Sequence, residues 1–160
     1  MTTVFDHHGN MAQLLQLEPG VSKDVRLRAG LLLRETREMW VTTLALATIT
    51  LIRQQEQLGS HSTWEDRARQ WYWFIALDLN LDGCWKSKPI LNGKEMIELL
   101  GIPRGPLVGF YAKEQTDWIL MNPKGTAEEC REHLTMVKKK RDNALEQAEQ
   151  QTSKKIHLQL

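Results

Sequence analysis

Residues 23–53 read KDVRLRAGLLLRETREMWVTTLALATITLIR, and this stretch decides the fold class. Val25, Ala29, Leu32, Trp40, Leu44, Ala47 and Leu51 recur at steps of three, four and eight residues, which lays one apolar stripe along a helix. The pattern predicts one long helix or two abutting ones. Arg26, Arg34 and Arg37 are spaced by eight and three residues, so they share one flank of that helix. A solvated face is the ordinary meaning of such a charge run, and a cationic flank offered to an anionic partner is the other.

Working outward, Met11 to Leu17 is a short amphipathic stretch closed by the turn Glu18-Pro19-Gly20, with Ser22 placed as N-cap. Gly59-Ser60-His61-Ser62 breaks the pattern, and Thr63 to Ala76 resumes it with Trp64, Ala68, Trp71 and Ile75 at helical spacing. Asn92 with Glu95 forms a capping box for a short helix that ends at Gly101. Gly105-Pro106 restarts a helix running to about Met121, with Pro where its missing N–H costs nothing. Asn122-Pro123-Lys124-Gly125 stops that helix, and Thr126 with Glu129 caps another that leads into Lys138-Lys139-Lys140-Arg141. No segment alternates with period two. The expected fold is therefore all-α, a helical bundle of five or six helices. Its expected organisation is an N-terminal segment over 1–21, helices over 22–80, a second helical domain over 81–137, and a basic-to-polar helix or disordered tail over 138–160.

With 41% hydrophobic and 26% charged residues in 160, the composition is that of a folded soluble protein of one modest unit. The longest apolar stretch, Val41 to Ile52, is too short for the roughly 20 residues that span a bilayer. Met1 to Asn10 carries no Lys or Arg, as neither a secretory nor an Arg-rich transit leader would; either the protein stays where it is made or a leader is missing. Cys84 and Cys130 have no CxxC partner, which speaks against a zinc site or a disulfide framework and for a reducing compartment. A net charge of +1 means that affinity for nucleic acid has to come from local patches.

Several motifs are incomplete. Asp78 to Gly83 matches the first half of an EF-hand loop, but Pro89 stands where the bidentate Glu belongs, and Lys86 and Lys88 would repel a cation. Glu65-Asp66-Arg67-Ala68-Arg69 has an E-D-x-x-R spacing, for which an ordinary i,i+4 pair of Glu65 with Arg69 suffices. His7, His8, His61, His133 and His157 lack metal-ligand spacing, and no nucleophile motif or Gly-rich phosphate loop occurs. The six tryptophans belong mainly to the core.

The segment KPILNGKEMIELLGIPRGPLVG, residues 88–109, resembles the tail-domain signature of CCA-adding tRNA nucleotidyltransferases of the eukaryotic and bacterial class. That family shows a P-L-x-G-x-[DE] opening, a short helix, a G-P-x-x-G turn and a following Trp, matched here by Trp118. Its plant-like members add the run N-P-x-G-T-x-E-E-C, found here as Asn122 to Cys130. Leu27 to Trp40 resembles the family's body helix with its L-R-x-x-x-x-x-W pattern, so the resemblance covers Val25 to Leu134. The catalytic head of that family carries a D-x-D pair and a G-G-x-x-R-D strand turn, and neither occurs in these residues.

The resemblance implies contact with tRNA, and neither DNA nor a membrane as partner. It implies no catalytic residue and no metal site here; the full family enzyme would use Mg and CTP/ATP, and this chain none, so the chain alone is expected to be inactive. The expected RNA-binding residues are Lys88, Lys94, Arg104 and Gly105 around a helix N-terminus, with Arg26, Arg34 and Arg37 on the upstream flank. Such contacts are shape-specific and salt-sensitive. The run Lys138 to Arg141 is followed by Asp142, Glu146 and Glu149 and reads as a solvated tail. A separate catalytic head subunit is a further implied partner, and the chain is expected to be intracellular, in cytoplasm, nucleus or mitochondrion. The alternative is a non-catalytic protein-interaction module or split subunit that docks on a catalytic partner.

Overall fold

The computed structural model describes residues 2–20, 22–57 and 63–157. The break expected at Gly59 to Ser62, and His61 within it, lie outside the described residues. The described residues form α-helices joined by short turns, with no strand among them, so the all-α reading holds. None of these helices is long and apolar enough to cross a membrane. The chain divides into two compact units, Met1–Lys88 and Pro89–Leu160.

The first unit holds α1 (Thr2–Leu15), α2 (Lys23–Thr36), α3 (Trp40–Glu56) and α4 (Trp64–Trp73). The stripe of residues 23–53 is carried by two abutting helices, broken by a tight 3-10 turn at Arg37–Met39. Ser22 caps α2 by accepting from the Val25 N–H at 3.1 Å. The N-terminal segment is more than the amphipathic stretch around 11–17: α1 is a full helix packed on α2 and α3, with Met11, Leu14 and Leu15 buried. After α4 the chain passes through a single π-helical turn, Phe74–Asp78, which drops Ile75 and Leu79 into the core. Of the tryptophans, Trp40 and Trp71 are buried here, while Trp73 is more than half exposed. Arg69 pairs with Asp66 at 3.2 Å and not with the expected Glu65, since both acids lie within one turn of it.

Residues 81–88 lie in the first unit. Trp40 Nε1 donates to Asp82 Oδ1 at 3.1 Å, and the Trp40 indole stacks on Tyr72 with centroids 5.4 Å apart. The half EF-hand loop thus spends one of its acids on an indole.

The second unit holds α5 (Gly93–Leu100), α6 (Pro106–Met121) and α7 (Ala127–His157) around Leu91, Met96, Leu100, Ile102, Tyr111, Trp118, Cys130 and Leu134. Its caps are those the sequence spells out. Asn92 Oδ1 accepts from the Lys94 and Glu95 N–H groups while Glu95 returns to the Asn92 N–H at 2.7 Å. Gly101 closes α5 in the left-handed region at φ 59, and Thr126 and Glu129 exchange the equivalent bonds at the head of α7.

Two carboxylates tie these turns to pH. The Arg67 guanidinium donates to both Glu18 oxygens at 2.8 and 2.6 Å and, by that hydrogen bonding first and its charge second, holds the Glu18 carboxyl below the usual range. The Thr126 N–H, then its hydroxyl, does the same for Glu129. Folded-state pKa values that are depressed contribute stability above the ordinary carboxylate value, about 4.3, and that contribution is lost as pH falls through the lowered values. Melting temperature is therefore expected to hold between pH 7 and about 5 on account of these two groups and to fall below about 4. Calorimetry of Glu18→Gln with Glu129→Gln should show a shallower acid fall than the parent; an unchanged acid limb would assign it to other groups.

Candidate nucleic-acid interface

The cations expected to bind RNA fall into distinct groups. In the second unit, Asn92, Gly93, Lys94, Ile97, Arg104 and Val108 line a shallow depression of about 570 Å³. The capping box fixes where Lys94 leaves the chain, and Gly105 at φ 140 turns the chain from Arg104 into α6. That φ favours glycine, so the turn delivering Arg104 depends on it. No side chain caps α6, Pro106 has no N–H, and Val108 N donates to Gly105 O at 3.1 Å. Lys94 and Arg104 are therefore brought together at the positive end of a 16-residue helix. Lys88 is exposed and closes the first unit.

The three upstream arginines differ in partners and exposure. Arg26 donates to the Leu79 carbonyl, and Arg34 donates to the Cys84 carbonyl at 3.1 Å. Both reach across more than 45 residues to satisfy backbone oxygens in the irregular segment after α4, where Asn80 sits at φ 48 and Gly83 at φ 79. Burial lowers the pKa of Arg26, though it remains charged, and burial raises that of the neighbouring Cys84 thiol against the pull of Arg34 and Arg26. Burial thus disfavours the thiolate form of Cys84.

Arg37 is different. Its side chain is exposed and its backbone stands at φ 51, ψ −131, outside the ordinary left-handed well, a conformation that costs a non-glycine residue about 1–3 kcal/mol. Beside it, Glu38 Oε1 accepts from Trp85 Nε1 at 3.0 Å, and Lys86 Nζ lies 5.9 Å above the Trp85 ring. Trp85 and Lys86 were not among the residues expected to contact RNA. The signal was present as an aromatic next to a lysine, but its neighbours come from a segment 47 residues away.

Among the described residues no group of three His, Cys, Asp or Glu could hold a metal ion. Fold and site together define an all-α scaffold whose exposed cations gather at turns that the backbone fixes. The chain is similar to two tRNA nucleotidyltransferases. It is 38% identical to the mitochondrial CCA tRNA nucleotidyltransferase of Saccharomyces cerevisiae over 68 residues, which are 42% of this chain and 12% of that relative. It is 25% identical to tRNA nucleotidyltransferase cca2 of Schizosaccharomyces pombe over 109 residues, 68% of this chain and 22% of that relative. No protein-family model and no solved structure matches it. The similarity is to part of each of these tRNA nucleotidyltransferases, and the matches span about an eighth and about a fifth of their length.

Proposed function

We propose that this chain holds tRNA for CCA addition, acting as the RNA-gripping, non-catalytic part of such an enzyme inside the cell. The observation that carries this is the convergence of Lys94 and Arg104 on the open N-terminus of α6. Two exposed cations and a helix dipole suit a backbone phosphate, whatever the base attached to it. Gly105 contributes by keeping that terminus free of a side chain. Arg37 and Lys88 remain available as further contacts; Arg26 and Arg34 serve the grip by holding the segment from Leu79 to Cys84.

The test is binding of the purified chain to a tRNA lacking its CCA end, against a plain RNA hairpin, across a salt series. Lys94→Ala and Arg104→Ala should each weaken tRNA binding and reduce the slope of log K on log salt by about one. Both lie on the surface, so melting should barely move. Unchanged affinity and slope in both variants would remove the depression from the interface.

A second reading, docking on a catalytic partner, draws on α3. Residues 41–52 carry no charge, and on the outward face Val41 is 44% and Ile49 52% exposed. Equal binding to tRNA and hairpin, with co-purification of a catalytic subunit that an Ile49→Lys variant abolishes, would favour that reading.

A further inference from the structure

The strained backbone of Arg37 and the fixed indole of Trp85 belong to one surface cluster. The 3-10 turn Cys84–Lys86 is fastened to α2 twice, by Arg34 on the Cys84 carbonyl at 3.1 Å and by Cys84 Sγ on the Gly30 carbonyl at 3.7 Å. Trp85 then reaches the junction of α2 and α3, where Glu38 accepts its N–H. The Glu38 carboxyl lies below the usual range because of its own backbone N–H first and the Trp85 indole second, with Lys86 and Arg37 adding attraction. Arg37, Lys86 and Glu38 thus sit within electrostatic reach of one another around a half-buried ring, with a local excess of one positive charge.

Arg37 occupies a backbone conformation that glycine would accept without strain, yet it carries a long cation into solvent. Strain kept at an exposed residue points to work done by its side chain. Lys86 is exposed and, at 5.9 Å from the ring centroid, at the outer limit of a cation–π contact, so turning it toward an anion gives up little. An aromatic ring held in place with cations beside it is the arrangement that takes a base in stacking and a phosphate on the cations, the base entering over the Trp85 face where Lys86 now lies.

We propose that Arg37, Trp85 and Lys86 form a contact for one unpaired nucleotide of a bound RNA, the Trp85 indole stacking on the base while Arg37 and Lys86 hold its phosphate. This rests on the tRNA reading for its biological setting but not for its chemistry. It also differs from the depression around Lys94, which has no aromatic surface and fits backbone alone.

The measurement is fluorescence anisotropy of a labelled, unstructured oligoribonucleotide and of tRNA with the full chain. Trp85→Ala should weaken oligonucleotide binding about tenfold, and Trp85→Phe, which keeps a stacking face, much less. Arg37→Gly removes the cation and relieves the backbone, so it should melt no lower than the parent while its salt slope falls by about 0.7, as for one phosphate on a single strand. Should Arg37→Gly and Lys86→Ala both leave oligonucleotide affinity and salt slope unchanged, the contact does not exist, even if Trp85→Ala proves unstable. Loss of tRNA binding on changing Lys94 and Arg104, with these variants unaffected, overturns the inference and leaves the tRNA reading standing. Oligonucleotide binding that depends on Arg37 and Trp85, without any preference for tRNA, supports the inference and sinks that reading.

Discussion

Gly125→Ala is expected to destabilise the protein by about 3 kcal/mol, at the upper end of what overpacking costs, and to lower its melting temperature by about 6–12 °C. A Cβ built on Gly125 would stand 2.3 Å from Trp118 Cη2 and 3.0 Å from two further ring carbons. Real carbon contacts do not come that close, so either the indole or the turn has to move. The indole has little room, being only 8% exposed and packed in the core of the second unit with His133 alongside. The turn is also held: Asn122 donates twice to the Trp118 carbonyl, and Gly125 N–H donates to Asn122 O at 2.9 Å. Gly125 is not in the left-handed region, so the requirement is for close approach and not for an unusual φ. Gly109→Ala is the control of opposite sign. Its Cβ meets nothing within 4 Å at the end of the first turn of α6, and the change should stabilise by about 0.5–1 kcal/mol through helix propensity. Trp118→Phe should recover part of the loss in the Gly125→Ala background. Equal melting of parent and Gly125→Ala would mean that the turn relaxes freely.

The Asn122 to Cys130 run shows why some of this fold was legible in the sequence. Stops and starts that depend on one residue or on a pair three apart can be read from spacing: the boxes at Asn92 and Thr126 join a side chain to a nearby backbone N–H, Gly101 closes by its left-handed φ, and Pro106 restarts a helix where its missing N–H costs nothing. Interactions that span the chain could not be read this way. Arg34 with Cys84, Trp40 with Asp82 and Trp85 with Glu38 are separated by 50, 42 and 47 residues, and they carry residues 81–88 onto the first unit. The first helix was hidden for a different reason. Phe5, His7, His8 and Gly9 blur the apolar stripe, so only its last turns looked amphipathic. The turns that place Lys94 at the start of α5 and Arg104 after it were legible because the string from 92 to 106 spells them out. The upstream arginines were not, because a guanidinium satisfying a buried carbonyl and one facing solvent have the same spacing in sequence.

Gln115→Leu is the second large effect, because it joins the core of the second unit to the depression. Gln115 is 1% exposed in the middle of α6, where its amide makes a two-way bond with one residue. Its Oε1 accepts from the Leu91 N–H at 2.6 Å and its Nε2 donates to the Leu91 carbonyl at 3.2 Å. Leu91 is buried too, on an irregular segment with no helix or strand to supply partners. A leucine fills much the same volume but leaves both backbone groups unsatisfied away from water, at about 1–3 kcal/mol each, so a loss of about 2–6 kcal/mol is expected. Relaxation of that strand of chain would not stop at Leu91. The next residues are Asn92, which caps α5, and Gly93 and Lys94, which open it; the three form half of the lining of the depression. The variant should therefore weaken tRNA binding beyond what its unfolded fraction explains, whereas Gly125→Ala, at the opposite end of α6, should weaken it only in proportion to that fraction. Amide exchange at Leu91, protected in the parent, should become fast in Gln115→Leu while the amides around Leu134 in α7 stay protected. If Leu91 keeps its protection and tRNA affinity is unchanged, the clamp has no part in setting Lys94, and the position of that lysine depends on the Asn92–Glu95 box alone.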